Sequence, residues 1–181
     1  MSDPIRKITP QLALSRWAVE RLAARPELAM ELEEPRAFGS DEIAAALSNS
    51  RQDDEAEFKR RLRRLRERVL LRTMARDLEG RAKLAEVCRT MSELADACIR
   101  ACLEWLAQSD PATSDLIVVA MGKLGGGELN VSSDIDLVFV HPDAADPQRL
   151  ERAGRKLIAL LGDRTEDGFV FRVDMRLRPY G

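Results

Sequence analysis

Residues 116–140, LIVVAMGKLGGGELNVSSDIDLVFV, contain the pattern that best indicates the fold of this chain. Its two apolar ends suit two short β-strands, and its glycine-rich middle suits a tight turn with about one turn of helix. Asp134 and Asp136 interrupt the second apolar run directly behind that turn. Because carboxylates at the start of an apolar strand are costly in a purely structural role, we expect the chemistry of the protein in the turn and just after it.

Asp134 and Asp136 are predicted to share one face of the second strand. Successive side chains of a strand alternate between its faces, so residues two apart point the same way. A later run, FVFRVDMRL at residues 169–177, also alternates and predicts another strand, with Asp174 on its polar face. If the two strands are neighbours, the three carboxylates converge.

A cluster of three carboxylates without sulfur or imidazole is typical of a magnesium site. Mg²⁺ takes one or two carboxylates, keeps several waters and completes its shell with substrate phosphates. An Asp-x-Asp pair alone is common and is usually solvated, but here it follows a glycine-rich turn and precedes an apolar strand. We therefore predict that Asp134, Asp136 and Asp174 are catalytic residues and Mg²⁺ ligands in a nucleotidyl-transfer site.

Residues around the acidic pair suit the binding of phosphate. Glycines let the backbone approach a phosphate closely, and serine hydroxyls and guanidinium groups donate to its oxygens. Arginines on the face of Asp174 either clamp phosphate or pair with the aspartates. The predicted nucleotide- and phosphate-binding residues are Gly125, Gly126, Ser132, Ser133, Arg172 and Arg176.

Two other phosphate-binding loops are excluded by spacing. A Walker loop requires lysine directly after its last glycine and then serine or threonine, whereas Lys123 precedes the three glycines and is followed by Leu124. A dinucleotide fingerprint requires Gly-x-Gly-x-x-Gly at the start of a long helix, and this segment instead runs into Asp-Ile-Asp.

The motifs together resemble one known family. MGKLGGGELNVSSDIDLVF at 121–139 and DGFVFRVDMRLRPYG at 167–181 are similar to the glutamine synthetase adenylyltransferase family, whose two catalytic halves resemble polymerase-β-type nucleotidyltransferases. The form Gly-Glu-Leu-Asn-x-Ser-Ser-Asp-Ile-Asp resembles the first, adenylyl-removing half. Segments 62–78 and 91–97 resemble the helical region that precedes the catalytic strands, so the resemblance covers roughly residues 55–181.

The resemblance implies an α+β fold: a helical region, then a polymerase-β-like core with a mixed sheet and flanking helices. We place the helical region at 1–112 and a partial nucleotidyltransferase core at 113–181. Family members continue beyond the point that matches Gly181, with a second catalytic half and regulatory segments. The core is therefore expected to be C-terminally incomplete.

The resemblance also implies a reaction on a protein substrate. The first half removes AMP from a tyrosine of glutamine synthetase by phosphorolysis and releases ADP, and the second half attaches AMP from ATP. Mg²⁺ is the implied cofactor, and the implied partners are glutamine synthetase, ATP or ADP, phosphate and the PII signal protein. Three hypotheses stay open: an adenylyl-removing enzyme, an adenylylating enzyme, and an inactive fragment that only binds or regulates.

Composition excludes several other classes of protein. A net charge of −2 gives no overall attraction to nucleic acid, and three cysteines with a single histidine support neither a disulfide framework nor a zinc site. The N-terminus lacks the apolar segment of a signal peptide, and no apolar run is long enough to cross a bilayer. We expect a cytoplasmic protein that binds neither nucleic acid nor membranes.

Helices are predicted in the first part of the chain. One covers residues near 10–24, a short one capped by Ser40 reaches Leu47, and a longer one opens at Asp53 and Asp54. The longer helix carries seven basic residues between 59 and 68 around a narrow apolar stripe. We expect those arginines to form a solvated face; RNA binding is the disfavoured alternative, because no stacking aromatic residues are interleaved.

Overall fold

The computed structural model describes residues 8–143 and 145–175. Helices dominate up to residue 115, and a small mixed sheet follows, so the predicted α+β class is confirmed. The α-helices are α1 (Arg16–Ala24), α2 (Ala29–Glu33), α3 (Ser40–Leu47), α4 (Glu55–Leu78), α5 (Leu84–Ser109), α6 (Gly122–Gly125) and α7 (Pro147–Gly162). The strands are β1 (Ile117–Met121), β2 (Ile135–Val140) and β3 (Val173–Asp174), and 3₁₀ turns cover Leu12–Leu14, Pro26–Leu28, Ser50–Gln52 and Pro111–Asp115.

The predicted unit of two strands joined by a glycine turn and one helical turn is confirmed. β1 and β2 pair antiparallel from Ile117 opposite Val140 to Met121 opposite Asp136, and α6 lies between them. β3 adds to the other edge of β2 in parallel, which gives the order β1-β2-β3. Helices pack on only one face of the sheet, because Val118, Ala120 and Leu137 join the core while Ile117, Val119 and Met121 are exposed.

The strand predicted over 169–177 is much shorter within the described residues. Val170 and Phe171 are both buried, which breaks the expected alternation, and both backbone N–H groups donate to the carbonyl of Leu161 at the end of α7. This segment therefore pairs first with a helix terminus, and among its residues up to 175, the last one described, Val173 and Asp174 join the sheet. Period-2 patterning could not predict this, because the competing acceptor lies on a different element.

Helix α4 opens with Asp54 as its N-cap, as predicted, and the Asp54 side chain accepts from the N–H of Glu57 at 2.9 Å. Helix α3 reaches Leu47, also as predicted, but its N-cap is Gly39 rather than Ser40. The helix predicted near 10–24 is divided by Ser15, which has an extended backbone and caps α1 through its hydroxyl. Serine competes well for this role because its side chain supplies the acceptor that a helix N-terminus lacks.

The expectation of a solvated basic face at residues 59–68 of α4 is wrong for Arg63, whereas Arg64 is exposed. The apolar stripe is buried as predicted, but Arg63, Arg72 and Arg76 are buried as well. Each meets acceptors on other elements: Arg72 binds Glu31 of α2, Arg76 binds Glu86 of α5, and Arg63 donates to backbone carbonyls. A single-helix pattern cannot show this, since neighbouring elements cover the charged side of the helix.

One hydrophobic cluster connects the helices to the sheet. It includes Phe58 and Leu62 of α4, Leu94 of α5, Leu137 of β2 and Phe171 before β3. The core thus runs across residue 112, where the sequence suggested a domain boundary; the boundary itself stays a prediction. No helix in the described part of the chain is long and apolar enough to cross a membrane.

Candidate functional site

The turn after β1 brings backbone against the carboxylate of Asp136. Gly122 has a φ of +54°, a conformation that residues with a Cβ adopt only at a cost. A Cβ built on Gly122 would lie 2.4 Å from Oδ2 of Asp136. Only glycine at this position allows the carboxylate to rest on the turn, so the turn and Asp136 form one structural unit.

Asn130 organises the loop between α6 and β2. Its side-chain oxygen accepts hydrogen bonds from the hydroxyls of Ser132, at 3.1 Å, and Ser133, at 3.0 Å. The Ser133 hydroxyl in turn accepts from the N–H of Asn130 at 3.1 Å. Leu129 is fully buried and its N–H donates to the Ser92 hydroxyl at 3.4 Å, which anchors the loop on α5. The loop that leads into the acidic pair is therefore held at both its base and its tip.

Asp136 and Asp174 are direct neighbours on adjacent parallel strands. Their Cα atoms are partners in the register of β2 and β3, and paired residues in a sheet point to the same face. Asp136 is also paired with Met121, whose side chain is on the exposed face of the sheet. The two carboxylates consequently face the open side of the sheet and not its hydrophobic interior.

Asp134 lies one position before β2 and pairs with Arg172. The guanidinium of Arg172 contacts Oδ1 of Asp134 through both Nε and Nη2, and its Nη2 also donates to the carbonyl of Ser132 at 3.2 Å. Asp134 and Arg172 are both about half exposed, at 48% and 56%. Of the two roles predicted for Arg172, the structure shows pairing with an aspartate, and phosphate contact stays a prediction.

The acidic residues suit a magnesium ion only in part. Across residues 8–143 and 145–175, no three acidic, histidine or cysteine side chains gather as a ready-made metal centre. The Asp134–Arg172 pair explains this, because it holds one of the three predicted carboxylates on a guanidinium. Asp136 and Asp174 still offer adjacent oxygen ligands, and one or two carboxylates are the usual protein share of a Mg²⁺ shell when substrate phosphates supply the rest. Asp136 and Asp174 therefore fit the carboxylate share of a Mg²⁺ shell, and Mg²⁺ binding itself stays a prediction.

Two backbone N–H groups of the glycine turn donate to carbonyls within the turn itself. The N–H of Gly126 donates to the carbonyl of Gly122 at 3.1 Å, and the N–H of Gly127 donates to that of Leu124 at 3.0 Å. A Cβ on Gly125 would lie 2.7 Å from the carbonyl oxygen of Ala120, so Gly125 is required for close packing of α6 on β1. Turn geometry thus accounts for these glycines, and phosphate binding by Gly125 and Gly126 stays a prediction.

The structure brings most of the predicted site residues to one end of the sheet: Asp134, Asp136, Asp174, Arg172, Ser132, Ser133, Gly125 and Gly126. Arg176 lies outside the described residues. Gly122 and Asn130 were not predicted as part of the site. A glycine directly after an apolar strand was a usable signal for Gly122.

Comparison with known proteins gives a consistent result. Residues 5–181 match the family model described as glutamate-ammonia ligase adenylyltransferase. A bifunctional glutamine synthetase adenylyltransferase/adenylyl-removing enzyme of Nitrosomonas europaea is 46% identical over 197 residues, which cover 94% of this chain and 21% of that protein. Proteins of the same description are 46% identical in Pseudomonas aeruginosa (83% of this chain, 18% of that protein) and 42% identical in Chromobacterium violaceum (92% and 21%). The chain spans about a fifth of the length of these relatives.

Proposed function

This chain belongs to the glutamate-ammonia ligase adenylyltransferase family, and on that premise we propose that it carries an adenylyl-removing centre acting on glutamine synthetase. The reaction is phosphorolysis: an oxygen of inorganic phosphate bonds to the phosphorus of tyrosine-linked AMP as the tyrosine O–P bond breaks. ADP leaves, and the tyrosine oxygen takes up a proton. The single observation that carries the proposal is the placement of Asp136 beside Asp174 on the open face of the sheet, against the Gly122 turn.

Each acidic residue has a distinct position in the proposed centre. Asp136 and Asp174 would hold Mg²⁺, which when bound neutralises the charge that builds on the transferred phosphoryl group. Asp174 is also suited to orient the attacking phosphate or accept its proton. Arg172 holds Asp134 in place and presents a positive charge at the same edge, where it can donate to phosphate oxygens.

The sequence Gly-Glu-Leu-Asn-x-Ser-Ser-Asp-Ile-Asp, which resembles the first half of the family, supports the adenylyl-removing direction over adenylylation. The products separate the two directions. Incubation of the chain with adenylylated glutamine synthetase, phosphate and Mg²⁺ is expected to release ADP, whereas an adenylylating enzyme would consume ATP and label the unmodified synthetase.

Variants connect the activity to the site. Asp136→Asn is expected to abolish both ADP release and Mg²⁺-dependent ADP binding, while Asp143→Asn, an exposed aspartate beyond β2, should change neither. Binding of ADP without any turnover would assign a binding role to this chain and reject the catalytic one. An Asp136→Asn variant that still releases ADP at the original rate would refute the proposed centre.

A further inference from the structure

A cavity lies between α1, α4 and the turn at 164–169. It has a volume of about 300 Å³ and is lined on one side by Trp17 and Arg21 of α1. Arg66 of α4 and Arg164 of the turn form other parts of its wall. Several guanidinium groups therefore border one small cavity.

Three carboxylates also line this cavity, those of Glu67, Glu166 and Asp167. Arg25, which is outside the cavity wall, donates to Oε2 of Glu67 at 2.5 Å and also contacts Oδ1 of Asp167. Glu67 and Asp167 are both buried, at 4% and 5% side-chain exposure, so the bridge through Arg25 is shielded from water. Arg25 is thus the nearest cation to both buried carboxylates, and Glu166 is exposed to solvent.

Arg66 is a half-buried cation for which no ion pair is seen among residues 8–143 and 145–175. Its Nε is buried and makes no hydrogen bond, and its Cζ lies 4.9 Å from the centre of the Phe169 ring. Burial lowers the pKa of Arg66 to about 10. Burying an uncompensated guanidinium is expensive, and the ring recovers only part of that cost.

Two further guanidinium groups lie at the same cavity, one exposed on Arg164 and one on Arg21. Arg164 approaches the same ring, with its Cζ 5.6 Å from the centroid, and no carboxylate in the described part of the chain pairs with it. The Nε of Arg21 is buried and makes no hydrogen bond, and its Nη1 lies 3.7 Å from Glu67. Guanidinium groups of three arginines, with the Nε donors of Arg21 and Arg66 unused, therefore border one half-open cavity.

We propose that this cavity binds a phosphate group, which Arg21, Arg66 and Arg164 clamp above the Phe169 ring. Guanidinium forks match the geometry of phosphate oxygens, and charge-assisted hydrogen bonds are the strong ones. Phosphate binding in this cavity is independent of the proposed function, because Arg21, Arg66 and Arg164 do not belong to the site around Asp136 and Asp174. Phe169 lies between the two, since Arg172, the partner of Asp134, approaches the same ring at 5.8 Å.

Calorimetric titration of the whole chain, with EDTA present and ionic strength held constant, tests the proposal. Inorganic phosphate is expected to bind and to change the emission of Trp17. Arg66→Met and Arg164→Gln are each expected to weaken binding about tenfold or more, because each removes charge-assisted donors. Arg155→Gln, an exposed arginine paired with Glu151 on α7, is the matched control and should bind as the wild type does.

Parallel titrations with ADP and AMP identify the source of the phosphate group. Binding of inorganic phosphate alone indicates a site for the free anion, and tighter binding of a nucleotide indicates a site for its phosphate moiety. If Arg66→Met does not fold, the exposed residue Arg164 still carries the test.

The proposal is overturned if neither ligand binds, or if both arginine variants bind like the wild type. It is also overturned if Asp136→Asn loses binding while the arginine variants retain it, because the phosphate then sits at the strand end. That last result would leave the proposed function intact.

Discussion

Gly122 shows how one residue sets the position of a reactive group. Its positive φ ends β1 and its missing side chain leaves room for the Asp136 carboxylate. Gly127, five residues later, also has a positive φ, of +68°, but a Cβ there would meet nothing within 4 Å. Comparison of these two positions therefore distinguishes the effect of backbone strain from the effect of contact with Asp136.

Alanine at these two glycines should give different results. Both substitutions place a Cβ in the left-handed region, at a cost of roughly 1–2 kcal/mol, and should lower the melting temperature. Only Gly122→Ala should also abolish Mg²⁺-dependent ADP binding, because its Cβ displaces the Asp136 carboxylate. Equal loss of ADP binding in Gly127→Ala would show that turn strain, and not contact with Asp136, matters for the site.

At the scale of elements, α4 is held to its neighbours by arginines as much as by its apolar stripe. Arg63 is almost fully buried, and its guanidinium donates to carbonyls of Lys59, Leu160, Asp163 and Gly168. Burial lowers the pKa of Arg63, yet its donors are satisfied by backbone from α7 and the turn after it. Arg63 thus connects α4 by hydrogen bonds to α7 and to the segment that leads to β3.

Replacement of Arg63 by methionine should destabilise the fold strongly. It leaves several buried carbonyls without donors, and each such acceptor costs about 1–3 kcal/mol, so we expect a loss of at least about 3 kcal/mol in urea unfolding. The adjacent Arg64→Gln, which changes an arginine with 57% side-chain exposure, should alter the unfolding free energy by less than about 0.5 kcal/mol. Similar effects of the two variants would contradict the role assigned to Arg63.

The contact between α4 and α5 should depend on pH through Glu86. Arg76 donates to both oxygens of Glu86, at 2.8 and 3.1 Å, and these hydrogen bonds lower the pKa of Glu86 below its ordinary value of 4.5. A lowered folded-state pKa means that the pair stabilises the fold above that ordinary value and loses its effect as the pH falls through the folded-state pKa.

Glu86→Gln tests this dependence. At pH 7 the variant should be less stable than the wild type by about 1 kcal/mol, and the difference should shrink as the pH falls below 4.5. Chemical unfolding at several pH values measures both effects. Glu93→Gln on the same helix, where no ion pair is seen among the described residues, is the control and should follow the wild-type curve.

At the scale of the whole molecule, the helical region and the sheet share one hydrophobic cluster. Leu94 of α5 and Leu137 of β2 belong to the same buried set, although they lie on opposite sides of residue 112. A shared core of this kind favours a single cooperative unfolding transition. Trp105 of α5, stacked on Phe58 at 5.3 Å, reports on the helical side of that core.

Truncation of a core side chain in the sheet should therefore also destabilise the helical region. Leu137→Ala is expected to cost about 2–5 kcal/mol and to lower the midpoint of the Trp105 fluorescence transition, as Leu94→Ala should. Leu14→Ala, at a residue with 87% exposure, should leave the midpoint unchanged. A Trp105 transition unaffected by Leu137→Ala would instead indicate that the two regions unfold independently.

The sequence alone determined the features that depend on local periodicity. The strand-turn-strand unit, the buried stripe of α4 and the common face of the acidic residues follow from the spacing of apolar and polar side chains, because that spacing fixes which side of an element each residue occupies. The motif around Asp134 and Asp136 was also sufficient to indicate the family.

Only the tertiary structure decided which groups meet across elements. The burial of Arg63 and the pairing of Asp134 with Arg172 join residues far apart in the chain, and Val170 meets the end of a different element, α7. A polar residue takes whichever acceptor or counter-charge the fold places within reach, and a pattern read along a single helix or strand contains no information about that partner.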